Sequence, residues 1–103
     1  METNLDVGDD GVITLALAGE IDVDVAHDLA AAVDKACRSK PRELVIDLAG
    51  VTFCDSSGIA QLVRAMDICD CDDASCRITG ATPFVGRVFD ACGLGEMLEP
   101  DGQ

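Results

Sequence analysis

The stretch Glu43-Leu44-Val45-Ile46-Asp47-Leu48-Ala49-Gly50-Val51-Thr52-Phe53-Cys54-Asp55-Ser56-Ser57-Gly58-Ile59 decides how this chain folds. Its apolar first half reads as a buried strand, Glu43–Leu48, followed by an exit turn. Ile59-Ala60-Gln61-Leu62-Val63-Arg64-Ala65-Met66 then reads as a helix. Asp55, Ser56, Ser57 and Gly58 therefore stand at a helix N-terminus, at the carboxyl end of a strand. Open α/β sheets place their working sites there. Free backbone N–H groups and the helix dipole also favour an anion at such a point.

On either side of this stretch, strands and helices alternate. Leu5 and Val7 alternate with polar residues and mark a short first strand. Asp9-Asp10-Gly11 is a hairpin turn signal. Val12–Ala18 reads as a second strand, mostly apolar on both faces as for a central position. Gly19-Glu20-Ile21-Asp22 ends it, and Asp22 or Asp24 is placed to cap the helix that follows. That helix has Val25, Leu29, Ala32, Val33, Ala36 and Cys37 on one face of a 3.6-residue period. Lys35, Arg38 and Lys40 sit near its C-terminus, where the dipole favours cations, and Pro41 stops it. The second helix runs from Ser57 or Gly58 to about Cys69 and buries Ile59, Leu62, Val63, Met66 and Cys69. Cys76–Thr79 reads as a weak fourth strand. Thr82 caps a third helix with Pro83 at its first position, and Phe84, Val85, Val88, Phe89 and Cys92 form its apolar face. Met97-Leu98 reads as a last short strand, and Pro100–Gln103 as a frayed tail. The pattern predicts a single α/β domain over residues 1–103: a mixed four- to five-stranded sheet covered by three to four helices. A right-handed crossover through the second helix joins neighbouring parallel strands.

Composition narrows the function. The chain has 7 Lys and Arg against 20 Asp and Glu, a net charge of −13. That field repels nucleic acid and anionic membranes and favours a basic protein partner. With 3% aromatic residues and neither Tyr nor Trp, a base-stacking surface is not available. The N-terminus has no basic segment followed by an apolar one, so no secretory leader is expected. No apolar stretch approaches transmembrane length. The six cysteines then read as thiols of a cytoplasmic protein rather than disulfides.

Any of Asp55, Ser56 and Ser57 can cap the second helix. One cap needs one residue, so two hydroxyls plus an acid exceed the need. A nucleophilic serine needs a nearby base and an orienting third group. The one histidine, His27, stands early in the first helix, and no Gly-x-Ser-x-Gly elbow is present. These features argue against a hydrolase and assign no catalytic residues. No phosphate-binding loop is present, so the chain shows no means of holding ATP by itself. Cys69, Cys71 and Cys76, interleaved with Asp70, Asp72 and Asp73, are the one metal-like cluster. They lack the paired Cys-x₂-Cys spacing and a histidine, so the segment reads as a helix end and acidic loop, with no metal or cofactor expected. Cys54 reads as an apolar strand end.

The chain resembles the STAS domain family, specifically the single-domain anti-sigma factor antagonists of bacteria. Leu44–Ile59, with Asp55-Ser56-Ser57-Gly58 after a Val-x-Phe turn, carries the resemblance most strongly. Gly19-Glu20-Ile21-Asp22 is similar to the family's Gly-Glu-Leu-Asp, and Thr82–Leu94 to its late helix and Gly-Leu ending. The resemblance implies a phosphorylation-switched binding protein, not an enzyme. The unphosphorylated form binds an anti-sigma factor that is also a serine kinase of histidine-kinase-like ATPase fold, and so frees a sigma factor. The kinase phosphorylates Ser56, the phosphoprotein lets go, and a PP2C-type phosphatase restores it. By the same likeness Asp22, Asp55, Ser57 and Gly58 lie at the partner surface. Spacing leaves Ser56 and Ser57 open as acceptors, and only the resemblance selects Ser56. Two departures stand out: the segment after the second helix is acidic and cysteine-rich rather than Gly-rich and basic, and the family's final helix is truncated or absent. The alternative is a STAS regulatory subunit of a transporter or other complex, docking an ATPase without phosphorylation.

Overall fold

A computed structural model describes residues 1–99; the tail expected over Pro100–Gln103 lies outside the described residues. The elements run β1 (Glu2–Val7), β2 (Val12–Ile21), α1 (Ala26–Arg38), β3 (Glu43–Cys54), α2 (Ser56–Cys71), β4 (Ser75–Thr79), α3 (Pro83–Ala91) and a 3-10 turn, Gly95–Met97. The hairpin forms where Asp9-Asp10-Gly11 signals it. Gly11 takes φ +83, and the Asp10 carboxylate accepts the Val12 N–H at 3.1 Å.

The sheet has the order β1-β2-β3-β4. β1 is antiparallel to β2, from Glu2 opposite Ala18 to Val7 opposite Ile13. β2 and β3 are parallel neighbours, as are β3 and β4. Leu98 adds a single parallel bridge to Ile78, so the short fifth strand expected at Met97-Leu98 is reduced to one pair beside a 3-10 turn. The crossovers through α1 and α2 link adjacent parallel strands, the arrangement that a right-handed βαβ unit produces.

Alternation along the central strands shows which face is covered. Ile13, Leu15 and Leu17 on β2 and Leu44, Ile46 and Leu48 on β3 are buried. They join Leu29, Val33 and Ala36 of α1, Ile59, Leu62 and Ala65 of α2, and Val85 and Phe89 of α3 in one core. The intervening Val12, Thr14, Ala16, Val45 and Asp47 are half-buried. One face of the sheet is thus sealed by helices and the other is left partly open. The second face of β2, with Val12, Thr14, Ala16 and Ala18, is half-buried, and the strand takes the central place expected of it, between β1 and β3.

Three other expectations change. β3 runs on to Cys54 instead of ending at Leu48. The residues read as an exit turn stay in the ladder through two register shifts against β2, between Ala16 and Ala18 and between Gly19 and Glu20. Each inserts an extra residue on β3, and a bulge of this kind reverses the alternation of side chains. On α2, Ala65 is buried while Val63 and Met66, both expected in the core, are half-buried and pack against its margin. On α3, Phe84 and Cys92 are exposed, because Val85 and Phe89, one turn apart, fill the contact with the sheet.

Candidate functional site

The parallel strands β2, β3 and β4 all end on one edge, so the loops after them converge there. The backbone N–H of Asp55 donates to the carbonyl of Ile21 at 3.0 Å, which ties the β3–α2 junction to the end of β2. Asp22 follows directly. Its carboxylate accepts the Asp24 N–H at 3.0 Å, a local turn that competes with helix capping. Neither Asp22 nor Asp24 caps α1: the cap residue is Val25, with no side-chain bond. Asp22 is half-buried and Asp24 exposed.

At the start of α2 one of the three candidate caps is selected. Asp55, in an extended conformation, accepts from the N–H of Ser57 at 2.9 Å and of Gly58 at 3.3 Å through one carboxylate oxygen. Its carbonyl accepts from Ile59 at 3.1 Å. The N–H groups that would cradle an anion are therefore already occupied by a carboxylate. This corrects the picture of an open anion site: any further anion here must lie beside Asp55.

With Asp55 as the cap, Ser56 becomes the first residue of the helix. It is exposed, whereas Ser57 is half-buried and Gly58 buried. Gly58 is held against the end of β2 so closely that a Cβ would lie 2.6 Å from Cγ2 of Ile21 and 2.8 Å from Sγ of Cys54. A glycine is needed here for close approach, and that approach sets Ser56 on the rim of the carboxyl edge. Burial first, then the Asp55 carboxylate, pushes the Cys54 thiol up to about 11. Cys54 is therefore an un-ionised core side chain beside the site.

The structure brings Asp22, Asp55, Ser56, Ser57 and Gly58 to one edge and leaves His27 exposed on the first turn of α1. Cys69 is buried, Cys71 exposed and Cys76 half-buried. Among the described residues no three His, Cys, Asp or Glu side chains are grouped to hold a metal ion. Burial raises Cys37 to about 11 and Cys76 to about 12, so these thiols are protonated at neutral pH. No helix among the described residues is long and apolar enough to cross a membrane.

The edge also holds residues that the sequence reading missed. Phe53, at the end of β3, and Phe84, in the first turn of α3, stack with ring centroids 5.9 Å apart and an interplanar angle of 29°. Both are exposed, as is Val23 in the loop after β2. Thr82 caps α3 by accepting from Val85 at 3.3 Å, which holds Phe84 at the edge. A signal existed: Val51 and Cys54 are both apolar at a spacing of three, which strict alternation cannot bury together without a bulge.

The profile of the family described as Mlab, STAS domain, matches residues 6–99. An anti-sigma-B factor antagonist from Staphylococcus epidermidis is 25% identical over 89 residues, 86% of this chain and 82% of that protein. The solved structure of the anti-sigma factor antagonist SpoIIAA in its unphosphorylated form is similar with a TM-score of 0.83 and 20% identity, covering 99% of this chain and 89% of that one. The Bacillus cell fate determinant SpoIIAA in its phosphorylated form is similar with a TM-score of 0.75 and 19% identity, over 99% and 92%.

Proposed function

Since the chain belongs to the STAS domain family, which its match over residues 6–99 shows, we propose that it is an anti-sigma factor antagonist switched by phosphorylation of Ser56. The observation that carries the reading is the placement of Ser56: an exposed hydroxyl at the first position of α2, on the carboxyl edge, beside the capping carboxylate of Asp55. A kinase can reach its Oγ without disturbing the core, whereas Ser57 is half-buried and followed by the packed Gly58. The relative named as an anti-sigma-B factor antagonist supports the role. The existence of SpoIIAA in a phosphorylated form supports the compatibility of the fold with a phosphate.

In this reading the unphosphorylated chain binds an anti-sigma factor through Asp22, Asp55, Ser57 and Gly58, and a sigma factor is released. The anti-sigma factor is a serine kinase of histidine-kinase-like ATPase fold and brings the ATP. The Ser56 oxygen attacks the γ-phosphorus, the bond to ADP breaks, and the hydroxyl proton passes to a base on the kinase. Phosphoserine carries about −1.5 to −2 charge. When a partner covers the edge, that charge and the Asp55 carboxylate lose water together, and their mutual repulsion grows as the local dielectric falls. A penalty of ~3 kcal/mol weakens binding more than a hundredfold. A PP2C-type phosphatase removes the phosphate and resets the chain.

The test is phosphotransfer from the cognate kinase to the wild type, Ser56→Ala and Ser57→Ala, followed by intact mass. One phosphate on the wild type and on Ser57→Ala, and none on Ser56→Ala, is expected. Transfer to Ser56→Ala overturns the assignment. Tight binding of an ATPase with no transfer to any form turns the reading toward a docking subunit.

A further inference from the structure

The carboxyl edge carries a stacked pair of phenylalanines that the core does not use, with the exposed Val23 in the loop after β2 on the same edge. Val23 is 69% exposed, Phe84 43% and Phe53 36%. They come from three segments that meet that edge: Val23 in the loop after β2, Phe53 at the end of β3 and Phe84 in the first turn of α3. The chain has only three phenylalanines and no Tyr or Trp. Two of the three are stacked on each other at the surface, while Phe89 is fully buried. The β3 register shift opposite Gly19 and Glu20 turns Phe53 outward while Val51 and Cys54 stay in the core. Exposed aromatic clusters of this kind mark interaction sites, and aromatic anchors dominate binding energy where they occur.

Charge around the pair selects its occupant. Glu20 near the end of β2, Asp22 and Asp24 in the loop after it, and Asp55 at the start of α2 lie on the same edge. Lys35, Arg38, Lys40 and Arg42, four of the seven cations, lie at the opposite edge, around the end of α1 and the start of β3. Arg64 is held by Asp34, and Arg77 by Glu43 and Glu99. Against the acids of the carboxyl edge stand Arg87, on α3 beyond Phe84, and the amine of Met1, which lies near Gly19. An apolar pair in an anionic frame is complementary to apolar side chains flanked by lysine or arginine.

The geometry points to an interface with two separable parts: the Phe53–Phe84 pair with Val23 anchors an apolar, basic-rimmed segment of the anti-sigma kinase, and Ser56 beside it carries the switch. The inference rests on the proposed role of Ser56 and adds where the affinity comes from. Covering the pair excludes water from the neighbourhood of Ser56, which makes a phosphate there harder to accommodate. The anchor also selects the partner, because a kinase with a polar or acidic segment at this place gains nothing from the pair.

The probes are the purified histidine-kinase-fold ATPases of the source organism, each titrated with the unphosphorylated chain. Phe84 lies at an exposed position whose helix keeps its Thr82 cap and Pro83, so Phe84→Ala is expected to melt as the wild type does. Its affinity for the ATPase is expected to fall about thirtyfold, the size of an aromatic hot spot. Phe84→Lys is expected to bind more weakly still, and Phe53→Ala to behave as Phe84→Ala does. In phosphotransfer the loss appears in KM, with kcat unchanged. Binding of Phe84→Ala and Phe53→Ala within about twofold of wild type overturns the anchor. If those variants bind normally yet phosphorylation of Ser56 abolishes binding, the anchor is refuted and the switch stands. If they bind weakly yet phosphorylation changes nothing, the anchor stands and the switch is refuted. If no such ATPase binds the wild type, both fall.

Discussion

Replacing Gly58 with alanine tests how the site is held in place. The new methyl group would stand 2.6 Å from Cγ2 of Ile21 and 2.8 Å from Sγ of Cys54. Both neighbours are buried, so neither has an empty space to turn into. Overpacking of this kind costs about 1–3 kcal/mol. Alanine recovers at most about 1 kcal/mol through its higher helix propensity, and less than that in the first turn. The expected net effect is a loss of roughly 1–2 kcal/mol. For a domain of this size that lowers the melting temperature by about 5–10 °C. Thermal and urea unfolding followed by circular dichroism at helix wavelengths give both numbers. A double-mutant cycle isolates the contact: Cys54→Ala removes one of the two clashing atoms, so Gly58→Ala is expected to cost about 0.5–1 kcal/mol less in that background. The variant melting at or above wild type, with no coupling to Cys54, would refute the packing of α2 against the end of β2. The position of Ser56 would then rest on nothing but its own helix.

Asp55→Ala removes the acceptor of two helix N–H groups and is expected to cost about 1 kcal/mol, whereas Asp55→Asn keeps the cap and costs a few tenths; denaturation midpoints separate the two. Ser56→Asp places a charge at the first helical position, which the dipole favours, beside Asp55, which disfavours it. Its stability is expected to stay within about 0.5 kcal/mol of wild type, so a loss of binding in that variant reports the interface rather than the fold. Alkaline pH is expected to destabilise the chain. Cys54 and Cys37 titrate near 11 and Cys76 near 12 in the fold, above the ordinary value of 9.0. Between those values the unfolded chain has released protons that the folded chain retains, so stability is fully present below about pH 9 and falls as pH rises through the folded values. The urea midpoint measured from pH 7 to 11 checks this, and Cys54→Ala is expected to flatten part of the slope.

Much of this architecture is legible in the residues because local and long-range signals agree. The Thr82-Pro83 start, the Asp9-Asp10-Gly11 turn and the face of α1 through Leu29, Val33 and Ala36 need no tertiary information. The convergence of Asp22 and Asp55 follows once β2 and β3 are parallel neighbours. What escaped the reading depended on events between strands. Residues 49–54 look like a turn because Ala49-Gly50 breaks the alternation, yet pairing with β2 keeps them in the ladder through two bulges. The same bulges put Phe53 outside. Phe84 reads as core because it is aromatic and helical, but Val85 and Phe89 already occupy the contact with the sheet. Asp55, Ser56 and Ser57 are equally good caps in sequence. Only the extended backbone at Asp55 decides that the carboxylate turns inward to the helix and leaves the Ser56 hydroxyl facing solvent.

Charge at Ser56 decides whether the partner binds. Titration calorimetry of one purified anti-sigma kinase against the unphosphorylated chain and against the chain phosphorylated at Ser56 tests it most directly. Tight binding of the first and an affinity more than about a hundredfold lower for the second are expected, with both forms folded alike. Equal affinities for the two forms would contradict it.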